Sequence, residues 1–187
     1  MAMRLYKKMK IIFLRVKGYQ NVWRFKIMTW SVYKDLRIDS NRNKTDKLIT
    51  PEEVDAFLIS TSLQGIGKDL VRVAQENKVN PIYLLAHTVL ETGWGKSKIF
   101  LEKNNLFGFG AIDKNPVRYA LSFNSPVECL EKVVKYIAKE YLDEKGKFYA
   151  GPNLIGMNRH YATDKSWCYK IMALMNKIQD FLFERRR

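Results

Sequence analysis

From residue 50 onward, apolar positions recur mostly at spacings of three and four, and several of these runs open on a helix-start signal. Thr50-Pro51-Glu52-Glu53 sets an N-cap threonine before a first-turn proline and a glutamate at the third position. That order predicts a capping box and a helix reaching about Ile59. After Gly65 and Gly67, Leu70, Val73 and Ala74 follow at helical spacing. Asn80-Pro81 starts a further helix with Ile82, Leu85, Ala86 and Val89 on one side, ending at Gly93-Trp94-Gly95. Ser125-Pro126-Val127-Glu128 repeats the start signal ahead of Val127, Leu130, Val134, Ile137 and Tyr141, and Trp167, Ile171, Leu174 and Ile178 mark a last helix.

Between these helices the texture changes. Residues 106–112 and 117–123 alternate aromatic with small or polar positions around Asp113-Lys114-Asn115-Pro116, which predicts a small β-hairpin. Residues 40–47 are polar and charged and read as a linker. The expected fold class is mainly α (α+β): one helical domain carrying a small β-hairpin lobe. Residues 1–35 form a basic N-terminal segment in which Val22-Trp23-Arg24-Phe25-Lys26-Ile27 alternates as an edge strand or an amphipathic contact segment would.

A chain of 187 residues can hold one domain with an added segment. Nowhere do about 18 apolar residues run together, so no membrane span is expected. Ile11 to Leu14 is too short for the core of a secretory signal, although Lys7, Lys8 and Lys10 imitate its basic start. Cys129 and Cys168 lie in apolar helical stretches, without a CxxC spacing, and read as buried free thiols. The formal net charge is +14, unevenly placed: residues 1–50 hold thirteen Lys and Arg against three Asp and Glu, a net of +10. The rest of the chain is therefore near balance. No nucleic-acid motif accompanies the basic segment, so an RNA or DNA partner is not expected. No cofactor is called for either, since Gly108-Phe109-Gly110 lacks the third glycine of a dinucleotide loop. His87 and Glu91 stand four residues apart, but His160 is the only other histidine, and no metal site is expected.

Glu91 is the residue that invites chemistry. It sits in the last turn of an apolar helix, where the negative end of the helix dipole and apolar neighbours both disfavour its ionised form. A carboxyl group held protonated is what a general acid requires. A surface glutamate at a helix end is the competing reading.

The stretch from Asn80 through Gly95 resembles the catalytic-helix signature of the glucosaminidase domain family of bacterial cell-wall hydrolases, glycoside hydrolase family 73. Two further blocks agree in order and spacing: Asn104-Asn105-Leu106-Phe107-Gly108 through Asp113, and Gly156 through Asp164. The resemblance covers roughly residues 36–183, and residues 36–187 are expected to form the catalytic domain. It implies a lysozyme-like helical fold and hydrolysis of the β-1,4 bond after N-acetylglucosamine in peptidoglycan. It puts the catalytic acid on Glu91 and a substrate-holding tyrosine on Tyr161. His160, next to Tyr161, joins the expected substrate contacts; some relatives carry an amide-bearing residue there. The implied setting is the bacterial cell wall, reached by secretion or by release from a phage, with glycan strands as partner. Phosphate-rich wall polymers would attract the basic segment, and a monomer is expected.

Glycoside hydrolysis usually needs a second carboxylate across the sugar. Glu102 and Asp113 are the candidates, although Glu102 also reads as surface and Asp113 as a turn former. Otherwise the substrate's own N-acetyl group can attack the anomeric carbon. Pyranose faces stack on rings, which makes Trp94, Phe107, Phe109 and Tyr119 candidate sugar contacts, with Phe107 equally a core residue. The glycines beside Trp94 imply exposure. Two rivals remain at this point: a lytic transglycosylase and a non-catalytic wall-binding module.

Overall fold

The computed structural model describes residues 49–112 and 114–187. The basic segment 1–35, the linker 40–47 and Asp113 lie outside the described residues. In order, the helices are α1 (Pro51–Phe57), α2 (Gly67–Glu76), α3 (Pro81–Thr92), α4 (Lys98–Lys103), α5 (Pro116–Tyr119), α6 (Pro126–Ile137), α7 (Leu154–Tyr161) and α8 (Trp167–Arg185). A single π-helical turn, Ala138–Leu142, continues α6.

Helix α3 is the axis of the domain. The Asn80 side chain accepts hydrogen bonds from the N–H groups of Ile82 and Tyr83 at 2.9 and 3.2 Å, and Pro81 fills a position that needs no donor. Residues 81–89 are all buried, so the helix is covered on every side, as its nearly continuous apolar sequence requires. Helix α8 packs along it through Ile171, Met175, Ile178 and Leu182, and α2 closes another side with α6 behind it. Leu174, on the expected seam, is only half-buried; Met175 takes the core position. Cys129 and Cys168 are free and buried as expected, and burial pushes the Cys129 thiol up to about 12.

Helix α1 begins as the sequence predicts. Glu53 N–H donates to Thr50 Oγ1 at 3.2 Å, and Thr50 N–H donates to Glu53 Oε2 at 2.9 Å. The helix stops at Phe57, two residues short of the expected end. Glu53 also pairs with Arg186 at 2.6 Å, which ties the start of α1 to the end of α8. Thr50→Ala removes one side of the capping box. It is expected to cost about 1 kcal/mol and to lower Tm by roughly 2–4 °C in a thermal melt.

The hairpin expectation is corrected. Among the described residues of 106–123 there is no strand, and Pro116–Tyr119 is a one-turn helix. Asn115-Pro116 acts as a helix start: the Asn115 side chain accepts from Arg118 N–H at 3.2 Å. Side chains also take the carbonyls that a strand partner would use. Lys103 Nζ donates to the carbonyls of Ala120 at 2.7 Å and Arg118 at 3.3 Å, and Asn105 Nδ2 donates to those of Phe109 and Leu121. Backbone pairing within the segment includes Leu121 N–H to the Phe109 carbonyl at 2.9 Å, but no ladder grows from it. The fold is mainly α-helical. Among the described residues no helix is long and apolar enough to cross a membrane.

Candidate active site

Glu91 lies in the last turn of α3, with about a quarter of its side chain exposed. Immediately after it the chain turns sharply through Gly93, Trp94 and Gly95, all with positive φ (54°, 62° and 78°). Glycine adopts that conformation freely; Trp94 does so at a cost of about 1–2 kcal/mol. Its ring is seated against Phe57 at 5.5 Å, with Lys177 Nζ 4.8 Å above it. The glycines beside Trp94 therefore serve the turn, and the ring is half-buried.

One turn before Glu91, His87 is completely buried. Its Nε2 lies 3.7 Å from Glu91 Oε1, too long for a full hydrogen bond. Around the imidazole stand the rings of Tyr161 at 4.7 Å, Phe107 at 5.1 Å and Trp167 at 5.2 Å, all meeting it edge to face. Trp167 Nε1 donates to Glu91 Oε1 at 2.8 Å, and the Tyr161 hydroxyl donates to the Phe107 carbonyl at 3.4 Å. The structure thus gathers Glu91, Phe107 and Tyr161 from three separate stretches of sequence and adds Trp167. Sequence reasoning placed Trp167 only on the core seam of α8. The available signal was that a buried indole N–H requires an acceptor.

The electrostatics of Glu91 differ from the sequence expectation. Burial does push its carboxyl up, but His87, the Trp167 N–H and Lys170 all favour the charge, and together they hold it below the ordinary glutamate value. The helix dipole, the apolar neighbours and His87 four residues earlier were visible in the sequence; the other two opposing groups, Trp167 and Lys170, come from α8, more than seventy residues away. The Tyr161 phenol moves the other way, pushed well above its usual value by burial and by the Glu91 charge, and stays protonated.

The remaining candidates scatter around this centre. Phe109 is half-buried and meets Tyr136 at 5.1 Å, and Tyr141 connects Tyr136 to Tyr161. His160 is exposed, 6.0 Å from the Phe148 ring, which stacks on Tyr141. Tyr119 is exposed, with the Arg118 guanidinium 5.8 Å from its ring centre. Glu102 is exposed on α4. Asp113, the expected second carboxylate, lies outside the described residues. Among the described residues, no group of three or more His, Cys, Asp and Glu is arranged to hold a metal ion.

The site is thus a carboxyl at the end of a buried helix, bordered by aromatic rings in a helical domain. The sequence model of the family described as glucosaminidase, mannosyl-glycoprotein endo-beta-N-acetylglucosaminidase, matches residues 67–180, and the chain belongs to this family. A putative endo-beta-N-acetylglucosaminidase of Streptococcus pneumoniae serotype 4 is 33% identical over 160 residues, covering 84% of this chain and 24% of the relative. A beta-N-acetylglucosaminidase of Bacillus subtilis is 29% identical over 139 residues, covering 64% of this chain and 16% of the relative. The chain spans about a quarter or less of the curated relatives it matches. Among solved structures, a catalytic mutant of Staphylococcus aureus autolysin E in complex with the disaccharide NAG-NAM matches with a TM-score of 0.56 at 26% identity. That match covers 72% of this chain and 68% of the other.

Proposed function

We propose that this chain is an endo-β-N-acetylglucosaminidase that hydrolyses the β-1,4 bond after N-acetylglucosamine in peptidoglycan, with Glu91 as the general acid. The observation that carries this reading is the setting of Glu91: a carboxyl at the mouth of the core helix, backed by His87 and held by Trp167. Protonated Glu91 donates to the leaving oxygen as the bond from that oxygen to the anomeric carbon breaks. Tyr161, a hydroxyl donor that burial keeps protonated, orients the sugar at the cleavage point. Positive charge then develops on the sugar ring, and either Asp113 or the substrate's own N-acetyl group answers it. Exposed Tyr119 and His160, with Phe109, serve in this reading as further sugar contacts. Phe107 serves from the core by seating His87 and Tyr161, and Trp94 shapes the turn after Glu91.

Mass spectrometry of digested cell walls tests the reaction. The expected products end in reducing N-acetylglucosamine; an anhydro-muramyl end would mean cyclisation, as in a lytic transglycosylase, and would overturn it. The enzyme acts as a monomer at the cell wall, and the net +10 of residues 1–50 draws it to anionic wall polymers. Deleting residues 1–35 is therefore expected to weaken salt-sensitive retention on walls more than cleavage of small soluble fragments. Equal losses in a pelleting assay and a soluble-fragment assay would make that segment structural.

A further inference from the structure

Trp167 is the first residue of α8 and almost wholly buried, and the turn that delivers it is fixed by side chains on both sides. Asn158, buried on α7, donates from Nδ2 to the Asp164 carbonyl at 3.0 Å and accepts at Oδ1 from Cys168 N–H at 3.1 Å. Asp164 receives the Ser166 N–H and hydroxyl on one oxygen, at 2.8 and 2.7 Å, and Lys170 on the other at 2.7 Å. The indole therefore arrives in a set orientation. Its ring packs on Tyr161 at 4.9 Å, and its Nε1 donates to Glu91 Oε1 at 2.8 Å. One side chain thus registers the proposed acid against the tyrosine proposed to hold the sugar. The direction of that bond is set by chemistry, because an indole N–H donates and never accepts. A protonated carboxyl accepts best at its carbonyl oxygen. The oxygen facing the indole is therefore the carbonyl one, and the O–H falls on Oε2.

We propose that Trp167 is a positioning residue of this site: it anchors Oε1 of Glu91 and so assigns the transferable proton to Oε2. The inference rests on Glu91 being the acid. In the step, the Oε2–H bond breaks and its proton goes to the glycosidic oxygen, which keeps the electron pair of the bond to the anomeric carbon. The carboxylate left behind stays on the indole bond, which strengthens once its acceptor is charged. Water then adds its oxygen to the anomeric carbon, and its released proton restores the carboxyl. A carboxyl without the anchor turns about its last side-chain bond and presents its proton in several directions. Misplacing a reacting group by about 1 Å can cost about 10²-fold in rate. Proton affinity pulls the other way. The titratable and charged groups facing Glu91 are His87 and Tyr83 on α3, Tyr161 on α7 and Lys170 on α8. Against burial, His87, the Trp167 N–H and Lys170 hold the carboxyl below its ordinary value. Removing the indole donor lets the carboxyl keep its proton to higher pH, so a role in proton affinity alone would make the variant faster near neutral pH. Loss of aim makes it slower at every pH.

Two variants test the idea. Trp167→Phe removes the N–H and keeps an aromatic ring. Because that change also shrinks a core side chain, a second protein carries 3-benzothienylalanine in place of Trp167, where sulfur replaces Nε1–H and the whole ring remains. On a soluble peptidoglycan fragment, the folded benzothienylalanine protein is expected to lose about 10–100-fold in kcat, with KM within about twofold of wild type. The loss should persist across the pH profile. A loss in kcat of less than about tenfold, a rate above wild type near neutral pH, or a raised KM with kcat kept each overturns the proposal while leaving Glu91 in its role. An active Glu91→Gln protein would overturn both. Nitrogen–proton NMR of the full chain checks the bond itself. The sequence holds four tryptophans, and the indole signal that vanishes in Trp167→Phe belongs to Trp167. Glu91→Gln, which gives the indole a neutral acceptor, should move that signal upfield in an otherwise unmutated chain; an unmoved signal overturns the proposal.

Discussion

Glu91→Gln is expected to lower the release of new reducing ends from purified peptidoglycan by about 10³-fold, which corresponds to roughly 4 kcal/mol of transition-state stabilisation. The substitution changes little else. Glutamine has the same shape, and its side-chain oxygen can still accept the Trp167 N–H that now bonds Glu91 at 2.8 Å. Only the transferable proton is lost. Activity within tenfold of wild type in a reducing-sugar assay would remove Glu91 from its proposed role. The same pair of proteins has a signature in stability. The folded carboxyl is held below the ordinary glutamate value, so the folded state favours its charged form. That contribution is complete above the unfolded value, near 4.5, and disappears as pH falls through the lower folded value. Denaturant unfolding of the two proteins should therefore show their difference narrowing between pH 7 and pH 3. A difference that widens would mean that burial outweighs the donors.

Local signals carried the helices. Three pairs of a capping residue and proline, Thr50-Pro51, Asn80-Pro81 and Ser125-Pro126, each open a helix with the expected side-chain bond to the backbone. The same signal at Asn115-Pro116 went the other way: the alternating aromatics around it suggested strands, yet capping chemistry prevailed for one turn. Alternation there reflected different partners for each ring, since Phe107 faces His87, Phe109 faces Tyr136 and Tyr119 faces solvent. Glu91 was legible because helix end, apolar face and glycine turn are neighbours in sequence. Its proton affinity was legible only in part: His87 stands four residues before it, but Trp167 and Lys170 arrive only through packing of α8 on α3. Trp94 shows the same limit: glycine neighbours predicted an open ring, while the left-handed turn they permit folds it onto Phe57.

Asn105→Leu is expected to cost about 3–5 kcal/mol and to lower Tm by roughly 10 °C. The residue is almost wholly buried, and its amide uses every bond it can make. Nδ2 donates to the carbonyls of Phe109 and Leu121, both at 2.9 Å, while Oδ1 accepts from the N–H groups of Phe107 and Phe109 at 3.2 and 3.0 Å. One side chain thus replaces, for this segment, the ladder that a hairpin would have supplied. Leucine fills similar space but takes the partner from the N–H groups of Phe107 and Phe109 and from the Leu121 carbonyl, while the Phe109 carbonyl keeps only Leu121 N–H. Asn104 is the internal control. It makes one side-chain bond, to the Phe123 carbonyl at 3.0 Å, and its φ of 53° suits glycine. Asn104→Gly should therefore cost only about 1 kcal/mol. The loss at Asn105 also reaches the site, because the segment it folds carries Phe107, whose ring seats His87 and whose carbonyl receives the Tyr161 hydroxyl. Activity of the remaining folded Asn105→Leu protein should fall along with its stability, whereas Glu91→Gln loses activity and keeps its fold. Equal melting temperatures for Asn105→Leu and Asn104→Gly would show that the segment is held by its apolar contacts instead.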